Sequence, residues 1–296
     1  MSRIVEVKGF TKVYGNFEAV KDVTFTIEAN KIYGLLGRNG AGKTTIMHMI
    51  TAQQFKTSGE LKVFGEEPYE NNRVLSQICF IKESQKYPDN YRVIDVLEVA
   101  AMFFPNWDQA FAHELIEEFR LPLKRRVKKL SRGMLSAVGI IVGLASRAPL
   151  TIFDEPYLGL DAVARELFYK RLIEDYAEHP RTVVLSTHLI DEVSQLLEHV
   201  MVIDQGKLIL NEDTEVLRGR AISVGGTTAQ VEEFMKGRNV IHRESFGGLL
   251  TATVMGTGST DDRKQAESLG LTIAPVSLQQ LIVHLTGGSV RKAGEA

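Results

Sequence analysis

Three things are scarce in this chain: cysteine, excess charge of either sign, and long apolar runs. The single cysteine, Cys79, cannot form an internal disulfide, which is typical of a reducing compartment. The formal net charge is −2 and the pI is about 6.4, so no overall field attracts nucleic acid or an anionic membrane. The longest apolar stretch, 137–153, contains Ser146, Arg147 and Pro149 and is too short to span a membrane.

The amino terminus and the composition narrow the class of protein further. Residues 1–4 lack the apolar core of a signal peptide, so secretion is not expected. A chain of 296 residues that is 44% hydrophobic can bury ordinary globular cores and is not disordered. The length suggests roughly two domains. Any role at a membrane therefore requires a separate partner subunit.

A glycine-rich loop at 37–45 is the strongest motif in the sequence. It follows the apolar run 32–36 and precedes a helical pattern, and it has the spacing G-x-x-x-x-G-K-[ST] of a phosphate-binding loop. Its glycines let successive backbone N–H groups point at one anion, Lys43 adds a positive charge, and the Thr44 hydroxyl can bind Mg²⁺. The alternative is a turn that binds nothing. The residues expected to bind phosphate are Gly37, Asn39, Gly40, Ala41, Gly42, Lys43, Thr44 and Thr45.

The order of the elements predicts an α/β domain followed by a smaller module. Residues 1–212 alternate strands and helices, beginning with short strands at 4–36 and including a helical insertion at about 86–145. Residues 213–220 are polar and predict a linker. Residues 221–296 predict the order βαββαβ and a closing helix, which favours a small ferredoxin-like α+β module.

Polar residues follow two further buried strands. Strand 150–153 ends at Asp154 and Glu155, and strand 183–186 leads to His188 and a helix predicted at 189–198. Because parallel strands end at one edge of a sheet, these side chains are expected near the phosphate loop. Asp154 would hold Mg²⁺ and Glu155 would be the general base for attack on a phosphoryl group. The alternatives are an acidic helix N-terminus for the carboxylates and a packing role for the histidine.

Tyr14 precedes the glycine-rich loop by about two dozen residues. Its ring is able to stack on a nucleotide base. The alternative is a surface tyrosine beside the turn at Gly15. The sequence by itself does not decide between these two readings.

Taken together, the motifs resemble the ATP-binding subunit of ABC transporters over residues 1–212. This resemblance implies a P-loop ATPase with an antiparallel β-subdomain, which uses ATP and Mg²⁺. The segment Leu-Ser-Arg-Gly-Met at 130–134 occupies the position of the family's signature, where Ser131 and Gly133 would contact the γ-phosphate bound by a partner. The other correspondences are Walker A at 37–45, Walker B at 150–155, the D-loop residue Asp161, the switch residue His188 and the adenine-stacking Tyr14.

The sequence departs from the family pattern in two motifs. Arg132 and Met134 replace a glycine and a glutamine of the usual signature. Glu83 stands where the family has the Q-loop glutamine, and Gln85 follows two residues later. We expect Glu83 to contact Mg²⁺ or its water, and typical coupling to a permease does not follow from the resemblance.

The resemblance also implies partners and a location. The chain is expected to pair head to tail with a second copy or with another ABC ATPase, and to act on a separate integral-membrane permease at the cytoplasmic face of a bacterial plasma membrane. No nucleic-acid partner is expected. The ending at 275–288 is similar to exporter-type subunits of the ABC-2 class, and the segments 130–134 and 157–161 resemble subunits encoded beside GntR-type regulators, including the Ytr-type group.

Two other functions remain open at the sequence level. The first is a nucleotide sensor in which the altered signature and Glu83 have weakened turnover. The second is a soluble ABC ATPase that has no role in transport, although the second ATPase domain or long coiled coil common in such proteins is missing from this sequence.

Overall fold

The chain folds into two compact units. The first comprises Met1–His188 and Leu196–Asn211, and the second comprises Leu189–Gln195 and Glu212–Ala296. Gly219 of the predicted linker and residues 257–259 and 292–296 of the predicted module lie outside the described residues. The computed structural model describes residues 2–83, 85–218, 220–256 and 260–291.

Two β-sheets form the framework of the first unit. The apolar runs that predict strands at 32–36, 150–153 and 183–186 all lie in buried strands. The strands are β1 (Arg3–Tyr14), β2 (Phe17–Glu28), β3 (Ile32–Leu36), β4 (Ser58–Val63), β5 (Ile78–Ile81), β6 (Leu150–Asp154), β7 (Thr182–Thr187), β8 (His199–Asp204) and β9 (Lys207–Asp213). The helices are α1 (Lys43–Ile50), α2 (Asn72–Leu75), α3 (Val93–Phe103), α4 (Gln109–Glu118), α5 (Arg132–Ala145) and α6 (Ala162–Glu178).

The larger sheet has the strand order β5-β6-β7-β3-β8-β9, and the pairs from β5 to β8 are parallel. In this register Leu36 is opposite Thr187, and Asp154 is opposite Ser186. The carboxyl ends of β3, β6 and β7 therefore meet at one edge of the sheet, which is where α/β proteins place their ligands.

The smaller sheet is antiparallel, with the order β2-β1-β4. Its apolar side chains, among them Val7 and Phe25, share one buried cluster with Ile46 and Met47 of α1 and with Ile152 of the larger sheet. Helix α1 is therefore packed on apolar side chains from both sheets. Because buried apolar surface contributes roughly 25 cal/mol per Å², this cluster stabilises the base of the phosphate loop.

A helical insertion lies between β5 and β6. The sequence predicts helices at 93–104, 110–119 and 131–145, and α3, α4 and α5 lie within one residue of these limits. Helix α5 buries all its residues from Ala137 to Ala145. Within the part of the chain that the structure describes, no helix has the length and apolar character needed to cross a bilayer.

The second unit is a four-stranded antiparallel sheet with helices. The strand order is β11-β12-β10-β13, and its core includes Val224, Phe234 and Val254. The ferredoxin-like assignment stays a proposal, which this order supports. The elements are α7 (Ile190–Val193), α8 (Thr214–Leu217), β10 (Ala221–Thr227), α9 (Thr228–Met235), β11 (Asn239–Phe246), β12 (Leu249–Met255), α10 (Thr260–Ser268), β13 (Thr272–Pro275) and α11 (Leu278–Arg291).

The structure corrects two local expectations. The helix predicted at 189–198 is only the four-residue α7, because Glu198 donates its backbone N–H to Ile32 and leads into β8. The predicted linker at 213–220 contains helix α8 and belongs to the second unit. Two of its residues, Thr214 and Leu217, are buried, which its polar sequence did not predict.

Candidate functional site

The loop between β3 and α1 is shaped by two glycines in conformations that other residues rarely adopt. Gly37 has φ of 150°, and a Cβ there would lie 2.2 Å from the carbonyl oxygen of Ile203. Gly42 has φ of 113°, and a Cβ there would lie 2.6 Å from the carbonyl oxygen of Ala19. The loop therefore packs backbone against backbone, and the first turn of α1 is left with its N–H groups directed at the loop.

Lys43, the first residue of α1, is buried beneath this loop. Its Nζ donates to the carbonyl oxygens of Gly37 at 2.8 Å and Arg38 at 3.3 Å, and lies 3.9 Å from Glu155 Oε1. Burial lowers the pKa of the ammonium group from its ordinary value, and the carboxylates of Glu155 and Asp154 oppose that shift. A phosphate would add the negative charge that such a buried cation requires.

Thr44 and Asp154 provide adjacent oxygen atoms that fit a magnesium ion. The Thr44 hydroxyl donates to Asp154 Oδ2 at 2.8 Å, and Asp154 Oδ1 is buried with no hydrogen-bond donor among the described residues. No group of three or more His, Cys, Asp or Glu side chains that could hold a metal is found in the described ranges. Magnesium is commonly held by one or two protein oxygens together with substrate phosphates, so these residues suit it.

Glu155 lies beside His188 at the adjoining strand ends. Glu155 has a left-handed backbone with φ of 49°, its N–H donates to the carbonyl oxygen of Ser186, and its side chain is buried. His188 Nδ1 is 2.6 Å from Glu155 Oε2. Glu155 Oε1 is buried and accepts no hydrogen bond from the described residues. A carboxylate with one fixed oxygen and one free oxygen is suited to accept a proton from a bound water.

These residues surround one cavity of about 540 Å³. The cavity is therefore lined by groups that can bind a phosphate and a magnesium ion, by a candidate general base, and by the aromatic rings of Tyr14 and Phe17. The predicted residues on its lining are Tyr14, Asn39, Gly40, Ala41, Gly42, Lys43, Thr44, Thr45, Glu83, Asp154, Glu155 and His188, and the further ones are Phe17, Ala19 and Leu158.

Two aromatic side chains, Tyr14 and Phe17, line the cavity. Tyr14 and Phe17 are paired residues at the β1–β2 turn, and their side chains are substantially exposed. The Tyr14 hydroxyl bonds to Gln54, and Lys12 Nζ lies 4.8 Å from the centroid of its ring. Phe17 was not predicted as a site residue from the sequence, and the signal available was an aromatic residue near the same turn.

Ser131, Gly133 and Asp161 are not among the residues that line the cavity. Ser131 caps α5 by accepting from the Met134 N–H at 3.2 Å, and Asp161 caps α6 by accepting from the Ala164 N–H at 2.8 Å. A Cβ on Gly133 would lie 2.4 Å from the carbonyl oxygen of Gly159. The signature segment and the lysine loop therefore do not form one site within this subunit.

Glu83 lines the cavity but also has another partner. Its Oε1 is 3.1 Å from Nη2 of Arg132, and its side chain is 47% exposed. The expectation that Glu83 contacts magnesium stays a prediction. The ion pair with Arg132 could not be predicted, because the two residues are 49 positions apart in the chain.

Sequence reasoning also missed the role of Tyr157 in this site. Its hydroxyl donates to Glu155 Oε2 at 2.5 Å and lies 3.3 Å from His188 Nδ1. The signal available was its position two residues after the predicted base, but nothing in the sequence shows where its hydroxyl points.

Comparison with known proteins identifies relatives of this chain. A family model described as ABC transporter matches residues 20–158. The chain is 24% identical to the ABC transporter ATP-binding protein YtrB of Bacillus subtilis (strain 168), over 97% of this chain and 100% of that protein. It is 35% identical to the bacitracin transport ATP-binding protein BcrA of Bacillus licheniformis, over 71% of this chain and 69% of that protein. A solved structure of an ATP-binding subunit of an ABC transporter has 26% identity and a TM-score of 0.66, covering 72% of this chain and 91% of that one.

Proposed function

This chain belongs to the ABC transporter family of ATP-binding proteins, and we propose that it hydrolyses MgATP to drive a separate membrane permease. The observation that carries the proposal is that the segments after three neighbouring strands line one cavity. Their side chains on this lining are Lys43, Asp154, Glu155 and His188. A phosphate-binding loop beside an acidic pair is the arrangement needed for phosphoryl transfer to water.

Each side chain has a role that follows from its contacts. Lys43 and the loop amides bind the β- and γ-phosphates, and Thr44 with Asp154 would hold Mg²⁺, which would supply positive charge against the phosphates. Glu155 accepts a proton from the attacking water through Oε1. His188 contacts the γ-phosphate and orients Glu155 from 2.6 Å. Tyr14 would stack on the adenine, and Glu83 would contact the ion or its water.

We further propose that the active form is a head-to-tail dimer, made of two copies of this chain or of one copy and a related ATPase. Ser131, Gly133 and Asp161 do not line the cavity that holds Lys43. A second subunit would therefore have to bring its own Ser131 and Gly133 to the γ-phosphate of the first. Closure of the dimer over ATP would complete both sites.

The proposed partner is an integral-membrane permease on a separate chain. The described part of this chain contains no helix able to cross a membrane. Its proposed place is the cytoplasmic face of a bacterial plasma membrane, on the ground that its relatives are bacterial transport ATP-binding proteins. The relatives include proteins named for bacitracin transport, lantibiotic transport and Nod factor export, and the last of these names favours export as the direction.

The C-terminal module is proposed to regulate the ATPase. Segment Leu189–Gln195, which directly follows His188 in the chain, belongs to the compact unit of that module. Within this unit Gln279 Oε1 accepts from the Asp191 N–H at 3.4 Å, and Arg218 donates to the Ser194 carbonyl oxygen at 3.3 Å. The module therefore holds the residues next to the switch histidine.

The proposed function is tested by steady-state ATP hydrolysis, with Lys43→Ala as the inactive control. We expect Mg²⁺-dependent hydrolysis in the wild type and at most background in the control.

We also expect Glu155→Gln protein with MgATP to sediment as a dimer at micromolar concentration, alone or with a related ATPase encoded beside it. Wild-type hydrolysis no faster than the control in a dimeric protein would favour a nucleotide sensor. If this protein did not co-purify with a multispanning protein from membranes of its own organism, a non-transport ATPase would be favoured.

A further inference from the structure

The hydroxyl group of Tyr157 forms hydrogen bonds with three groups, one of which is the carboxylate of the proposed base, Glu155. Its ring is 3% exposed and lies next to His188, with ring centroids 5.8 Å apart. The hydroxyl donates to Glu155 Oε2 at 2.5 Å and accepts from the Thr187 hydroxyl at 2.8 Å and from the His188 N–H at 3.2 Å. One proton and two lone pairs are the whole capacity of a phenol, so every hydrogen-bonding position on this oxygen is filled.

The phenol is fixed as a donor to the carboxylate. Burial raises the pKa of Tyr157 far above its ordinary value, and the hydrogen bond to Glu155 raises it further. The hydroxyl therefore keeps its proton at neutral pH. Because a buried carboxylate needs such a donor to offset its lost hydration, Tyr157 stabilises Glu155 in its buried position.

The two carboxylate oxygens of Glu155 have different surroundings. Oε2 contacts Tyr157 at 2.5 Å and His188 Nδ1 at 2.6 Å, whereas Oε1 receives no hydrogen bond from the described residues and is 3.9 Å from Lys43 Nζ. Rotation of the carboxylate would break both short contacts of Oε2. The network therefore leaves Oε1, which is itself buried, as the carboxylate oxygen without a donor among the described residues, and a bound water that reached it would supply that donor.

We propose that Tyr157 is a positioning residue for hydrolysis, which holds Glu155 with Oε1 directed at the attacking water. This inference rests on the proposed ATPase function. The water oxygen bonds to the γ-phosphorus, its proton passes to Oε1, and the bond from that phosphorus to the bridging oxygen breaks. The electron pair of that bond leaves with ADP, so one water is consumed and phosphate and ADP are formed. Tyr157 neither gains nor loses a proton in this step.

The test is Tyr157→Phe in the full chain, which keeps the buried ring and removes only the hydroxyl. We expect the single-turnover rate of ATP hydrolysis to fall about 10- to 100-fold, as the loss of a hydrogen bond to a charged group implies. The dissociation constant for ATP, measured by calorimetry, should change less than threefold, because Tyr157 makes no contact with the phosphate loop among its described hydrogen bonds.

Tyr176→Phe is the matched control. It removes a phenol that also donates to a glutamate, at 2.8 Å from Glu198 Oε2, but Tyr176 does not line the cavity. Its hydrolysis rate should stay within twofold of the wild type. An unchanged rate in Tyr157→Phe, an equal fall in the control, or a fall matched by weaker ATP binding would overturn the positioning role. Absence of hydrolysis in the wild type would instead contradict the proposed function itself.

Discussion

Glu83 and Arg132 form an ion pair with 3.1 Å between Oε1 and Nη2. They stand at two of the positions where the sequence departs from the pattern of the family, one in the Q-loop and one in the signature. The pair joins the segment after β5 to the first residue of α5. The two departures therefore contact each other. We infer that Glu83 and Arg132 contribute to function through this contact, so that each side chain depends on the other.

Removal of either charge of this pair should slow ATP hydrolysis. We expect Glu83→Gln and Arg132→Gln each to reduce the rate about two- to fivefold, since an exposed ion pair is worth at most about 1 kcal/mol. The double variant should be no slower than the slower single one, because both remove the same interaction. Arg73→Gln, which removes a surface pair with Glu66, is the control. Rates that multiply in the double variant would show that the two residues act separately.

Phe17 should contribute to binding of the nucleotide base. Stacking of a base on an aromatic ring is worth about 1–3 kcal/mol, so Phe17→Ala should weaken ATP binding about tenfold or more. Binding of inorganic tripolyphosphate should be unchanged, because it has no base. Calorimetry measures both constants. Phe55→Ala is the control, since Phe55 is 62% exposed but packs against Tyr69 and does not line the cavity. Equal weakening for ATP and tripolyphosphate would mean that Phe17 shapes the loop instead.

The contacts of segment Leu189–Gln195 with the C-terminal module should influence turnover. Gln279→Ala combined with Arg218→Ala removes the side chains that bond to the backbone of Asp191 and Ser194. We expect the rate of hydrolysis to fall about threefold to tenfold, because two hydrogen bonds worth about 1 kcal/mol each no longer hold the residues after His188.

Lys236→Ala provides the control for this double variant. It removes a surface ion pair with Glu233 in the same unit and should leave hydrolysis unchanged. Equal rates for the double variant, the control and the wild type would remove the argument that the module acts through this segment.

Asp175 should be a main determinant of stability in the first unit. Its buried carboxylate bonds to Arg147 at 2.8 Å and to Arg181 at 2.5 Å, and Arg181 is 4% exposed. Asp175→Asn leaves the buried Arg181 without its anion, whereas Arg147 keeps its ion pair with Asp108 at 2.8 Å. Loss of one partner from a buried ion pair costs about 3–5 kcal/mol. Urea unfolding followed by circular dichroism measures this change. Glu174→Gln on the same helix, with an exposed side chain, should change the free energy of unfolding by less than about 1 kcal/mol.

The sequence by itself determined the local parts of this protein. The spacing of Gly37, Gly42 and Lys43 after an apolar strand specifies the phosphate loop, because backbone conformation and helix start depend on neighbouring residues. The limits of the three inserted helices were predicted to within one residue, because hydrophobic periodicity and caps such as Ser131 are also local signals. The position of Glu155 and His188 at strand ends followed from the same reasoning.

Only the tertiary structure decided which of these parts meet. The strand order places β7 between β6 and β3, and this order brings His188 within 2.6 Å of Glu155. The same packing directs the Tyr157 hydroxyl at that carboxylate, and leaves Ser131 outside the cavity. No local pattern encodes these relations, because they depend on contacts between segments far apart in the chain, and the free energy of those contacts comes from the assembled core.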